Sequence, residues 1–412
     1  MKTSDGLFRT AGGKNFLAPF ILVTSLFFLW GFAHSILDVL NKHFQDTFDM
    51  TKTRSALVQA VVYGGYFLMA LPAGAIIRRF GYRSGVLTGL VLYGTGALLF
   101  IPGSRMGSFD FFLFSLFVIG CGLTCLETAA NPYVTVLGSS DSSERRINIA
   151  QSFNGLGWIV GPLVGGLCVF SGGGSGNIAL PYAVIGVIVL LVAVVFSRVK
   201  LPEVAPDDAP ADTPPASCAA RAGVSRHSLL VRLHFVLGLA ALFLYVAAQT
   251  GINSFFINYA VEDAGIDKGD AALWLGLLGM GLFMAGRMSG SLLMKYVPAR
   301  RLLTLCGIGA SVAMAVIMAF GGRVGFRAFF LCFLCESIMF PTIFAMAVRD
   351  LGRHTKTASS LLIMSIVGGA VAPLLMGCIA DAQGSMKTAF AVPMCCFLFI
   401  TGYAGVYSRL LR

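Results

Sequence analysis

Runs of about twenty mostly apolar residues recur along this chain, and no other feature constrains its fold as strongly. A helix needs about 20 such residues to cross the roughly 30 Å hydrocarbon core of a bilayer. The runs fall near 16–40, 54–77, 84–103, 109–137, 148–171 and 180–197. A second set falls near 230–259, 270–294, 301–321, 326–348, 357–380 and 388–408. Twelve spans consume roughly 240 residues of the 412, and the remainder is too little for a large catalytic domain outside the membrane. Charged residues make up 12% of the chain and apolar ones 57%, where soluble domains carry about 25% and 45–50%. A soluble enzyme and a nucleic-acid binder are therefore excluded. The runs are continuous rather than alternating, which argues against a transmembrane barrel. The expected fold class is an all-α membrane protein of twelve transmembrane helices.

The longest polar stretch, 198–229, separates the two sets. It holds Pro202, Pro206, Pro210, Pro214 and Pro215 with Asp207, Asp208 and Asp212, a composition that reads as a disordered linker. The chain thus divides into a tail (1–15), an N-terminal six-helix bundle (16–197), the linker, and a C-terminal six-helix bundle with a short tail (230–412). The run Phe16 to Leu40 is too long, and lacks the small-residue site, for a cleaved signal. Of the 30 basic residues, 21 lie on the tails and alternate loops, 8 on the opposite loops, and Arg287 lies within a span. The positive-inside rule then places both termini and the linker in the cytoplasm of an inner or plasma membrane. The net charge of +11 is mostly this topology. Nine of the ten cysteines lie in or beside apolar runs without metal-ligand rhythm, and read as small lipid- or core-facing residues. No metal and no cofactor are expected.

The two sets also repeat one another. Gly74-x-x-x-Arg78-Arg79-x-Gly81-x-Arg83 closes span two, and Gly290-x-x-x-Met294-Lys295-x-x-x-x-Arg300 closes span eight, 216 residues later. Leu126-Glu127-Thr128-Ala129-Ala130-Asn131-Pro132 is echoed by Cys335-Glu336-Ser337-Ile338-Met339-Phe340-Pro341 at an offset of 209. Trp30, Ala33, His34 and Asp38 fall opposite Tyr245, Ala248, Gln249 and Asn253 at an offset of 215. Three near-equal offsets argue for a parallel duplication. Two such six-helix halves resemble the major facilitator superfamily, whose halves are related by an axis along the membrane normal.

Within that superfamily, Phe27-Phe28-Leu29-Trp30-Gly31-Phe32-Ala33 through Asp38 resembles the first helix of the fucose permease-like sugar:cation symporters. The run from Gly122 to Gly138, with its Leu-Glu-Thr-Ala-Ala-Asn-Pro core, is similar to the same family, as are Ala150-Gln151-Ser152-Phe153-Asn154 and Ala248-Gln249-Thr250. The resemblance covers nearly the whole chain from about residue 18. It implies uptake of fucose, glucose, galactose or a related sugar with a cation, usually a proton. It also implies that an essential acidic pair in helices one and four falls at Asp38 and Glu127. The chain departs from the pattern at Arg78, where the superfamily loop motif usually has aspartate. It departs again at His34, Ser35, Ile36 and Leu37, where asparagines are usual.

Any ionisable group deep in a span is a functional candidate, because placing it there costs at least about 2.5–3.5 kcal/mol on insertion scales. Asp38, Glu127, Arg287 and Glu336 qualify. Asp38 is expected to load and release the proton and Glu127 to couple protonation to sugar binding; burial moves a carboxylate's titration toward neutrality. Sugar hydroxyls both donate and accept hydrogen bonds, so amides, carboxylates and aromatic faces recognise them. The candidates are Gln151, Asn131, Gln249, Glu127, Asn154, Asn253, Gln59, His34 and Trp30. Several of these amides serve equally well as interhelical hydrogen bonds. Arg79 and Arg83 are expected to brace a gate, and Arg287 and Glu336 to be gate or structural residues, with Glu336 a candidate partner for Arg287. The reading is a proton-coupled monosaccharide importer working by alternating access, complete in one chain and therefore functional as a monomer. A sodium-coupled symporter, a metabolite or drug exporter on the same fold, and a membrane sugar sensor are the alternatives. Enzyme motifs are not found in the sequence.

Overall fold

A computed structural model describes residues 17–136, 143–170, 179–198, 232–294, 296–349 and 355–410. The expected tail 1–15 and all of the expected linker except Arg198 lie outside the described residues. Those described are mostly helical, joined by short turns and without a strand. Eleven of the helices are long and apolar enough to cross a membrane. They match eleven of the expected spans, from Pro19–Phe48 and Lys52–Ile77 through Met386–Tyr407. The remaining expected span, 148–171, lies in the helix Ser143–Phe170. At 1.5 Å per residue its 28 residues reach about 42 Å, so length is not what sets it apart. Its sequence opens on Ser143-Glu144-Arg145-Arg146 and carries Gln151 and Asn154, which lowers its apolar content.

Span one continues to Phe48, beyond the expected end at residue 40. The extension is polar yet buried: Asn41, Lys42 and Gln45 are each 8% exposed or less. Their side chains find partners on other helices, as described below, which allows polar residues to stay helical inside the bundle. Spans two and three run as one trace from Leu57 to Leu98, broken at Gly81 with φ 83° and ψ 171°. That backbone suits glycine, which has no Cβ to clash. Span eight contains a π-helical stretch, Leu275–Met280. Span ten breaks between the helices Gly322–Glu336 and Met339–Val348.

By contacts the chain forms two units. One comprises Met1–Ile36, Gly64–Gly161 and Gly176–Cys218; the other comprises Leu37–Tyr63, Pro162–Ser175 and Ala219–Arg412. Lipid tails are as apolar as the side chains, so helices in a membrane associate through close packing rather than through a hydrophobic drive. In the first unit, small residues supply that approach. A Cβ on Gly157 would stand 2.4 Å from the Phe28 carbonyl oxygen, and one on Gly31 would stand 2.2 Å from the Asn154 carbonyl oxygen. Spans one and five therefore meet backbone to backbone. In the second unit, aromatic rings fill the space: Phe256 lies 5.3, 5.2 and 5.6 Å from Phe326, Phe329 and Phe333.

Candidate functional site

The first unit gathers a carboxylate, a phenol, an imidazole and two indoles. Glu127 on span four is hydrogen-bonded by Tyr66 of span two. The Tyr66 hydroxyl lies 2.9 Å from Nε2 of His34 on span one. The His34 ring stacks on Trp158 of the Ser143–Phe170 helix, with centroids 6.0 Å apart and planes 12° apart. Trp30 meets the same imidazole edge-on at 6.4 Å and 69°. Its indole N–H is buried without a hydrogen-bond partner among the described residues, so a polar guest could accept from it. Gln151 donates to the Asn131 side-chain oxygen at 3.4 Å, and both residues are half-buried. Asn154 is spent on structure, because its side chain donates to the Phe27 carbonyl at 3.1 Å.

The second unit holds Asp38. Gln59 donates to its Oδ1 at 3.1 Å, and both side chains are buried. Neither Asp38 nor Glu127 forms an ion pair among the described residues. Each is bonded by a neutral group, which leaves it able to exist uncharged. Asn253 is buried with an Oδ1 that has no partner among the described residues, and Gln249 sits half-buried one turn before it. Tyr63 and Thr250 share a hydrogen bond at 3.2 Å.

Where span one runs out toward span two, the same unit carries a polar lattice. Asn41 donates to the Ser254 carbonyl at 2.6 Å, and Gln45 accepts from Asn258 at 2.5 Å. Beyond them, Glu262 pairs with Lys42 at 3.7 Å and with Lys52 at 3.0 Å, and Lys268 pairs with Asp46 at 2.5 Å. Asp381 at the end of span eleven accepts from the Lys52 and Thr53 backbone N–H groups at 3.0 and 2.8 Å, and from the Thr53 hydroxyl at 2.6 Å. Gly377 makes that approach feasible, since a Cβ there would meet Thr53 Cα at 2.7 Å. Hydrogen bonds to a charged group outweigh exposed ion pairs. Asp381→Ala is thus expected to destabilise the protein by about 1–2 kcal/mol, and Lys268→Ala by less. Thermal unfolding of the purified variants measures this; equal midpoints for Asp381→Ala and wild type would show that the lattice holds nothing together.

The sequence reading did not single out Trp158 or this lattice. A signal for the lattice was present, because Asn41 and Ser254, like Gln45 and Asn258, stand 213 residues apart. That separation is within two residues of the internal repeat offset of 215, so nearly equivalent positions of equivalent helices meet there. Of the expected gate residues, Arg79 is exposed with its guanidinium 5.4 Å from the Phe80 ring. Arg83 donates to the Ser197 carbonyl oxygen. Arg287 donates to the Ser337 carbonyl at 3.2 Å and lies over Phe283 at 4.7 Å. Arg287 and Glu336 do not form an ion pair; the Glu336 side chain has no hydrogen-bond partner at either oxygen among the described residues.

A polytopic helical bundle that buries neutral-bonded carboxylates, amides and aromatic faces among its spans has the build of a secondary transporter. The model of the Major Facilitator Superfamily matches residues 20–373, and the chain belongs to that superfamily and to its fucose permease-like branch. It is 37% identical to the L-fucose-proton symporter of Escherichia coli (strain K12), over 96% of this chain and 94% of that one. It is 34% identical to a glucose/galactose transporter of Brucella abortus biovar 1 (strain 9-941), over 97% of each. A crystal structure of the transporter FucP in the outward conformation superposes with a TM-score of 0.67 at 36% identity, covering 95% of this chain and 99% of that one. A D-xylose-proton symporter shares the fold alone, with a TM-score of 0.71 at 13% identity over 94% and 96% of the two chains.

Proposed function

We propose that this protein imports a monosaccharide (glucose, galactose, fucose or a close relative) together with a proton, by alternating access between six-helix halves at 16–197 and 230–412. Both termini and the linker face the cytoplasm of the inner membrane, by the distribution of basic residues. The observation that carries the reading is the pair of span carboxylates, Asp38 and Glu127, bonded by Gln59 and Tyr66 and, among the described residues, by no cation. A permanent ion pair would fix such a group as charged; a neutral partner lets it gain and lose a proton. The relatives bear names of proton symport and of hexose transport, which supports the same coupling and substrate class here. Glu127, Asn131, Gln151, Trp30 and His34 are the sugar-binding residues of the first unit; for the second unit they are Gln249 and Asn253. Asp38 is the proton-loading group. With span one leaving the cytoplasm at its start, the lattice of Lys42, Asp46, Lys52, Glu262, Lys268 and Asp381 is the external gate in its closed form.

Purified protein in proteoliposomes tests this. Labelled fucose, glucose and galactose are offered under an imposed pH gradient, an imposed sodium gradient, or neither. A pH gradient, acid outside, is expected to concentrate at least one of them, and a sodium gradient to have no effect. Concentration by sodium alone, or binding without counterflow, would remove the proposal.

A further inference from the structure

Glu336 is the fully buried carboxylate of span ten, 0% exposed, and neither of its side-chain oxygens has a hydrogen-bond partner among the described residues. It is the last residue of the helix Gly322–Glu336, just before the break at Ser337 and Ile338. That break is held from two sides. The Tyr245 hydroxyl of span seven donates to the Glu336 backbone carbonyl at 3.0 Å, and Arg287 of span eight donates to the next carbonyl, that of Ser337, at 3.2 Å. The other titratable groups facing it are Cys332 and Cys335 of its own helix, with Cys306 of span nine against Cys335. Tyr63 of span two lies near Tyr245. A guanidinium thus stands one residue away along the backbone without touching the carboxylate. An ionised carboxylate left without a partner in such a place bears its whole desolvation cost, whereas the neutral acid does not.

The sequence repeat adds a second observation. Glu336 stands where Glu127 stands in the first half, at the offset of 209 that also aligns Pro341 with Pro132. The duplicated helix has therefore kept an acid at the same register on each side of the duplication.

We propose that Glu336 is a second proton-binding site of the transport cycle, neutral in the conformation seen here and ionised when Arg287 swings onto it. In the loading step the carboxylate takes one proton from a hydronium ion, forming one O–H bond and leaving water. In the unloading step that O–H bond breaks, the proton returns to water on the other side, and the guanidinium neutralises the carboxylate. The break at Ser337 and Ile338 is the joint that lets the two groups meet and part. This inference rests on the proton-coupled reading above and extends it to the C-terminal helices.

Two measurements on the full-length protein test it. The first is infrared difference spectroscopy of the purified protein at neutral pH. Wild type is expected to show a protonated-carboxyl C=O band that is absent from Glu336→Gln, and a band unchanged by that substitution would overturn the proposal. The second is the proton-to-sugar ratio in proteoliposomes. Glu336→Gln is expected to fold, because an amide is an isostere of the neutral acid, and to retain sugar counterflow. Its ratio is expected to fall by about one proton per sugar, so that accumulation under a pH gradient of one unit falls about tenfold, with partial recovery in Glu336→Asp. A merely structural glutamate would lower counterflow and accumulation together and leave the ratio at the wild-type value, which would also overturn the proposal. If wild type itself shows no proton-driven uptake, the underlying coupling has failed, and the infrared band still decides whether Glu336 is protonated.

Discussion

Asp38→Asn is expected to leave a folded carrier that equilibrates sugar and no longer concentrates it. The amide keeps a side-chain oxygen where Gln59 Nε2 now donates at 3.1 Å, so the local packing survives. What is lost is the ability to bind and release a proton. A one-unit pH gradient supports about tenfold accumulation for each proton that moves with the sugar, since tenfold corresponds to about 1.4 kcal/mol. Without the loading group no proton moves with the sugar, so the variant should fall to parity under that gradient while retaining counterflow. Glu127→Gln keeps an oxygen for Tyr66 in the same way and should also fall to parity, with weaker sugar binding in addition. Accumulation ratios, measured beside counterflow on the same vesicles, separate loss of coupling from loss of fold. Normal accumulation by both variants would remove these residues from the mechanism.

The largest effect on stability is expected at Gly157. A Cβ there meets the Phe28 carbonyl oxygen at 2.4 Å and the Phe32 nitrogen at 2.6 Å, and both are backbone atoms that a rotamer change cannot move. Gly157→Val must push spans one and five apart and should cost about 3 kcal/mol, the upper part of the usual overpacking range. The displacement would also shift His34 relative to Trp158, whose rings now stack at 6.0 Å, so sugar binding should weaken with stability. Gly64→Ala is the control, because nothing lies within 4 Å of a Cβ at that position. A thermal midpoint for Gly157→Val equal to that of Gly64→Ala would show that the close approach is not needed.

The fold was readable because its signal is redundant. Each span repeats the same apolar statement over about twenty residues, and the duplication states it twice. Span one shows where such reading stops. Asn41, Lys42 and Gln45 resemble an interfacial end when taken singly, and only their partners Ser254, Glu262 and Asn258 explain why the helix continues to Phe48. Those partners lie more than 200 residues away. The site was partly readable for a related reason. Asp38 and Glu127 stand out because a carboxylate in an apolar run is costly and therefore conspicuous. Trp158 does not stand out, since an indole in an apolar helix is unremarkable until His34 is found stacked on it. Asn154 illustrates the converse. It looked available to a sugar, but it donates to the Phe27 carbonyl at 3.1 Å, a bond that sequence spacing alone does not reveal. Arg287 and Glu336 invited pairing by their opposite charges, yet the guanidinium goes to a backbone carbonyl, because the break in span ten frees that carbonyl from helical bonding.

Proton movement recorded in the absence of any imposed gradient is the most direct measurement of the central claim. De-energised vesicles of right-side-out orientation, containing the protein in a lightly buffered medium, are given a transported sugar while the external pH is followed. Sugar entry coupled to protons predicts a transient external alkalinisation that begins with uptake, scales with it, and is absent with Asp38→Asn. Sugar entry with no pH change would contradict proton symport.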